Sequence, residues 1–138
     1  MGSDVDRTAA ALSDYFRSQT TAAGEIAAVY LFGSVARNAA GPASDVDVGL
    51  AYVRPPPRTL GGQPFDVAAD LAQLLGRPVD VVVMNGAPSD LVHRILRDGR
   101  VVFEGDRSAR IAFEVRARNH YFDMLPILRR YRRTALAR

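Results

Sequence analysis

Apolar residues fall at three- and four-residue steps from Asp4 to Gln19 (Val5, Ala9, Leu12, Phe16), which predicts an amphipathic helix with Ser3 or Asp4 as its cap. The next apolar run, Ala27 to Phe32, is too short for a helix and is rich in Val, Tyr and Phe, so it reads as a buried strand that ends at Gly33-Ser34. Ser34 to Asn38 is compatible with a short helix, and the Gly41-Pro42 pair marks the following loop, 38–44, as a turn. From Asp45 to Val53 the pattern alternates. Asp45, Asp47, Gly49 and Ala51 share one face and Val46, Val48, Leu50 and Tyr52 the other, which predicts a half-buried strand. Prolines and glycines make 54–62 a loop. A second helix is expected over 65–75, stopped by Gly76-Arg77-Pro78, and a third strand over 79–84. Pro88 suits the first turn of a helix that ends at Asp98-Gly99, with Leu91, Val92, Ile95 and Leu96 as its apolar stripe. A short strand at 101–103 precedes a last helix, capped by Asp106 and running to about Arg133, which Pro126 is expected to kink or split.

Helices and strands interleaved in this order predict an α/β (α+β) domain: a small mixed β-sheet flanked by helices, with a C-terminal helical extension. The 138-residue length fits one domain. With no cysteine, disulfide scaffolds, thiolate metal sites and a thiol nucleophile are excluded; two histidines cannot build a three-histidine metal centre. All 18 basic residues are arginine, so Schiff-base chemistry and a Walker lysine are excluded too. Residues 105–138 carry a net charge of +6 and residues 1–104 a net charge of −3. Chemistry that uses carboxylates therefore belongs to the first part of the chain. The N-terminus is acidic with no apolar stretch behind it, and no apolar run reaches the roughly 20 residues that span a bilayer, so the expectation is a cytoplasmic protein without membrane contact.

The carboxylates cluster in the pattern. Asp45 and Asp47 stand two residues apart on a strand, so they point the same way with Cα atoms about 7 Å apart. Asp80 lies within another apolar strand. Buried carboxylates repel each other and lose hydration, and with no lysine or histidine close in sequence a divalent cation is the simplest counter-charge. An all-oxygen donor set favours Mg²⁺, with Mn²⁺ as a substitute, over zinc. Gly33 lets the backbone approach a phosphate, and Ser34 adds a hydroxyl and N–H groups at a helix start. Plainer readings remain beside these: Asp45 and Asp47 at a solvent-facing strand edge, Asp80 in an ion pair with Arg77, Arg37 as a solvated loop residue, and His93, His120, Asp66 and Asp70 as surface residues.

The words Leu31-Phe32-Gly33-Ser34-Val35-Ala36-Arg37 and Ser44-Asp45-Val46-Asp47-Val48, with ten residues between Ser34 and Asp45, together resemble the polymerase-β-like nucleotidyltransferase superfamily. The small size and the Val79-Asp80-Val81-Val82 strand are similar to its minimal nucleotidyltransferase (MNT) branch, and Tyr121 to Leu128 resembles the adenylyltransferase antitoxins of HEPN/MNT toxin–antitoxin pairs. Asn38 departs from the glycine usual after the arginine. The resemblance implies the polymerase-β-like fold, with 1–104 as the MNT domain and 105–138 as its basic extension. It implies that Asp45, Asp47 and Asp80 are catalytic and hold two Mg²⁺ ions. It also implies that Gly33 and Ser34, with Arg37 and Ser44, bind the nucleotide, that ATP is the donor, and that tyrosines of a cognate HEPN ribonuclease toxin are the acceptor. The alternatives are a nucleotidyltransferase of a small-molecule, aminoglycoside-like acceptor and a non-catalytic antitoxin that masks its partner. For the arginine-rich tail Leu128 to Arg133, a protein partner or solvent is favoured over nucleic acid, and a homodimer stays open.

Overall fold

The structure, a computed structural model, describes residues 3–19, 25–37, 44–55 and 63–136. Ser3 caps the first helix, α1 (Asp4–Ser18), through a hydrogen bond from the Asp6 backbone N–H to its hydroxyl. Strand β1 (Ile26–Phe32) leads without a loop into the one-turn helix α2 (Gly33–Ala36). After the segment 38–43, which lies outside the described residues, come β2 (Val46–Tyr52), α3 (Gln63–Leu75), β3 (Val79–Val83), α4 (Ser89–Asp98), β4 (Arg100–Glu104) and α5 (Arg107–Leu136). The sheet order is β3-β2-β1-β4, with β2 antiparallel to β1, β4 antiparallel to β1, and β3 parallel to β2. This is the mixed sheet flanked by helices that the pattern predicts.

Both faces of the sheet are covered. Leu12 and Phe16 of α1 and Leu71 of α3 pack with Val29, Leu31, Val48 and Leu50 on one side. Val92 and Ile95 of α4 and Phe113 of α5 pack with Ala28, Tyr30, Ala51 and Met84 on the other. Strand β2 is therefore buried on both faces apart from Asp47, not half-buried as its alternation suggests. Its second face is made of small residues because α4 sits directly on it: a Cβ at Gly49 would stand 2.9 Å from Met84 Sδ and 3.6 Å from Ile95 Cγ2. Small residues there signal close helix packing, which alternation alone reads as a wet face.

Two local differences have simple causes. Helix α4 begins at Ser89 with Pro88 as its N-cap residue, one place outside the first turn, and Gly99 closes it. Helix α5 runs unbroken through Pro126. The carbonyl that proline leaves without an N–H partner belongs to Phe122, which is exposed, so solvent can satisfy it. Asp106 caps α5 by accepting from the Ala109 N–H at 3.0 Å. Its first half is tied to the sheet by the Tyr30 hydroxyl, which donates to Glu114 at 2.7 Å, while Arg110 bridges Glu114 and Glu104. No helix among the described residues is long and apolar enough to cross a membrane.

The β2–β3 ladder is lengthened by a side chain. Asn85 accepts from the Tyr52 N–H at 2.8 Å and donates to the Tyr52 carbonyl at 3.1 Å, acting as one more rung beyond the Met84 N–H to Leu50 carbonyl bond. Asn85→Ala strands both backbone groups of a buried residue, and equilibrium denaturation is expected to show a loss of about 1–3 kcal/mol; an unchanged midpoint would show that water replaces the amide.

Candidate functional site

The register of three adjacent strands places the predicted residues. Asp47 lies opposite Phe32, the last residue of β1, and also opposite Asp80, the second residue of β3. The chain turns out of β1 at Gly33, whose φ of +77° is a backbone conformation that side chains with a Cβ rarely adopt. The absent Cβ matters twice over, because one built there would run into the Asp47 carboxylate, 3.0 Å from its Cγ. The Gly33 turn therefore lies directly against Asp47, with half-buried Ser34 next along α2. Arg37 closes α2 with its N–H bonded to the Gly33 carbonyl at 3.2 Å.

The electrostatics fit that proximity. Partial burial, then the negative charges of Asp80 and of Asp45, push the Asp47 carboxyl above the usual carboxylate range, and only the Arg37 guanidinium pulls the other way. Arg37 also helps hold the Asp98 carboxyl, at the end of α4, below its ordinary value, after the dominant hydrogen bond from Arg97. One exposed guanidinium thus faces several carboxylates, and net negative charge remains at the site.

The expectation of a buried trio needs correction. Only Asp47 is partly buried; Asp45 and Asp80 are exposed. Asp80 lies on the edge strand, and Asp45 precedes β2 by one residue, so neither has sheet on both sides. Arg77 forms an ion pair with Asp4, both of whose carboxylate oxygens accept from Nη1 at 3.0 Å, and not with Asp80. Its Nε donates to the Ser44 carbonyl at 3.0 Å, and the Val46 N–H bonds the Pro78 carbonyl at 2.9 Å. Residues 77 and 78 thus brace the chain on either side of Asp45. Sequence reading missed this brace, since Asp4 and Arg77 are far apart in the chain. It also missed Gly99, where a Cβ would come within 3.2 Å of the Leu31 carbonyl, so that α4 ends pressed against the exit of β1.

Three carboxylates with hard oxygen donors, one of them held at raised pKa by burial and then by the charges of the other two, suit a divalent cation such as Mg²⁺. The fit is one of donor chemistry: among the described residues no group of three His, Cys, Asp or Glu side chains is already gathered tightly enough to hold a metal ion. Asp45 and Asp80 have no hydrogen bond or ion pair among the described residues, so turning them toward Asp47 breaks none of those contacts.

The chain's fold is similar to that of a toxin–antitoxin crystal structure with AMP-PNP, at TM-score 0.67 and 20% identity over 83% of this chain and 88% of that one. It is also similar to one in a complex of tri-AMPylated Shewanella oneidensis HEPN toxin with MNT antitoxin, at TM-score 0.63 and 17% identity over 91% and 98%. At these identities the likeness is one of fold, and the fold is that of the MNT antitoxins of HEPN toxin systems. No curated protein sequence matches significantly. The family model described as "Polymerase beta, Nucleotidyltransferase" matches residues 10–108, a stretch that includes the Gly33 turn and all three aspartates, and the chain belongs to that nucleotidyltransferase family.

Proposed function

We propose that the protein transfers AMP from ATP to a tyrosine hydroxyl of a partner HEPN toxin, in the presence of Mg²⁺, and thereby neutralises it as an antitoxin. The observation that carries the reading is the register of Asp47 with Asp80, against a glycine turn that leaves room for nothing larger. Asp45, Asp47 and Asp80 would hold the metal ions. When bound, these supply positive charge to the triphosphate and ease deprotonation of the acceptor hydroxyl, whose ordinary pKa is about 10. Gly33 and Ser34 are the groups that would receive the phosphates at the mouth of β1, with Arg37 and Ser44 as further nucleotide contacts. The phenol oxygen attacks the α-phosphorus, the bond to the bridging oxygen of the β-phosphate breaks, and pyrophosphate leaves. Asp80, exposed on the edge strand, is the carboxylate an incoming acceptor meets from solvent. The toxin as acceptor is supported by the shared fold with antitoxins in such complexes.

The test incubates the purified chain with α-labelled ATP, Mg²⁺ and a candidate HEPN-toxin partner. Label on a toxin tyrosine, abolished by a chelator, is the expected result. Neutralisation that survives Asp45→Asn/Asp47→Asn intact would leave masking by binding as the function. Label that goes only to an aminoglycoside would identify a small-molecule transferase.

A further inference from the structure

At the other end of the sheet lies a cavity of about 410 Å³, within the range of roughly 300–1,000 Å³ typical of small-molecule sites. Asp47 and Tyr52 are separated by roughly 16 Å of strand at 3.3 Å per residue. The cavity opens past the Tyr52 end, between the Met84–Ser89 segment and α5. It is therefore separate from the carboxylate site. Its apolar lining includes Met84, Val92, Phe113 and Ala117, of which the first three are buried core residues. Asn85, locked into the Tyr52 backbone, gives that side a fixed wall.

The one permanently charged side chain among the described lining residues is Arg116. Positions 113, 116, 117 and 120 form one stripe of α5, and Arg116 and His120 stand on it at the cavity. Among the described residues no carboxylate lines the cavity. Among the described residues Arg116 forms no hydrogen bond or ion pair, although the chain up to residue 104 is net acidic. An unneutralised guanidinium and an imidazole beside an apolar, rigid-walled cavity are a recognition pattern for a molecule with an apolar body and an anionic head.

We propose that this cavity is a second binding site, which takes a small aryl or alkyl anion, its carboxylate or phosphate head on Arg116 and His120 and its apolar body against Met84, Val92, Phe113 and Ala117. The site is independent of nucleotide transfer, so its test needs no activity.

Titration of the ¹⁵N-labelled chain with phenylacetate and with phenyl phosphate is expected to shift the amide signals of Gly86, Ala87, Ser89 and Ala117 saturably. Benzyl alcohol, which has the ring without the charge, and inorganic phosphate, which has the charge without the ring, are expected to bind about tenfold or more weakly, the loss of one charge-assisted contact. Arg116→Gln, a surface change that should leave the fold intact, is expected to weaken the aryl anions about tenfold. Binding by phenylacetate or phenyl phosphate alone supports the site and identifies its preferred head group. Absence of saturable shifts at these amides, equal binding of benzyl alcohol, or full binding by Arg116→Gln/His120→Gln would each overturn the proposal.

Discussion

Asp47→Asn is expected to lower transfer by about three orders of magnitude while making the metal-free protein more resistant to heat. The first effect follows from removing a charge that acts as the transition state develops. The second follows from the environment of Asp47. Burial, then the charges of Asp80 and Asp45, raise its pKa in the folded chain, with Arg37 opposing them. The folded state therefore binds this proton more tightly than the unfolded state does. Above the folded pKa the ionised group destabilises the fold, and the penalty is relieved as pH falls through that pKa toward the unfolded value. Asparagine carries no charge at any pH. Thermal melts in chelator should place the variant above the parent at neutral pH, and the gap should close as pH is lowered through the carboxylate range. A variant that melts below the parent at neutral pH would show that Arg37 needs the Asp47 charge more than Asp80 resents it.

Gly33→Ala is the second large effect, and it acts through shape. The residue has φ +77°, and a methyl there meets the Asp47 carboxylate. Forcing alanine into that backbone region costs about 1–3 kcal/mol. Displacing Asp47 by an ångström is enough to lower transfer about a hundredfold. Gly76→Ala separates the two causes. Gly76 has a similar φ, +67°, with nothing within 4 Å of a built Cβ. That variant should lose stability to backbone strain and keep full activity. If both alanine variants retain activity, the Gly33 turn has no part in placing the carboxylate.

What the sequence makes legible here is what lies close along the chain. Gly33-Ser34 and Asp45-x-Asp47 flank the single connection between two neighbouring antiparallel strands, so their spacing carries their geometry. Asp80 is different. Its apolar strand marks it as a candidate, but its match to Asp47 is set by the parallel register of β3, which no local pattern encodes. The double burial of β2 was hidden because Gly49 and Ala51 interrupt an apolar face by being small, and the helices that require small residues lie far downstream. The Arg77–Asp4 brace and the Asn85 rung were out of reach for the same reason: each depends on partners brought together by folding. The exposure of Asp45 and Asp80 is an edge effect, and edges are known only once the strand order is.

The way β3 joins the sheet has a consequence for how such a protein can diversify. Three of the four elements of the site sit within a stretch of fifteen residues, 33–47, and the fourth arrives on a strand whose alternation gives it only two orientations. Losing one residue between Pro78 and Asp80 would turn that aspartate toward the side packed by α1 and α3. The connection that leaves β2 beyond Tyr52 starts at the opposite pole, so its length is free to drift. Insertion can therefore remodel one pole of this molecule, while at the other a single deletion would undo the candidate site.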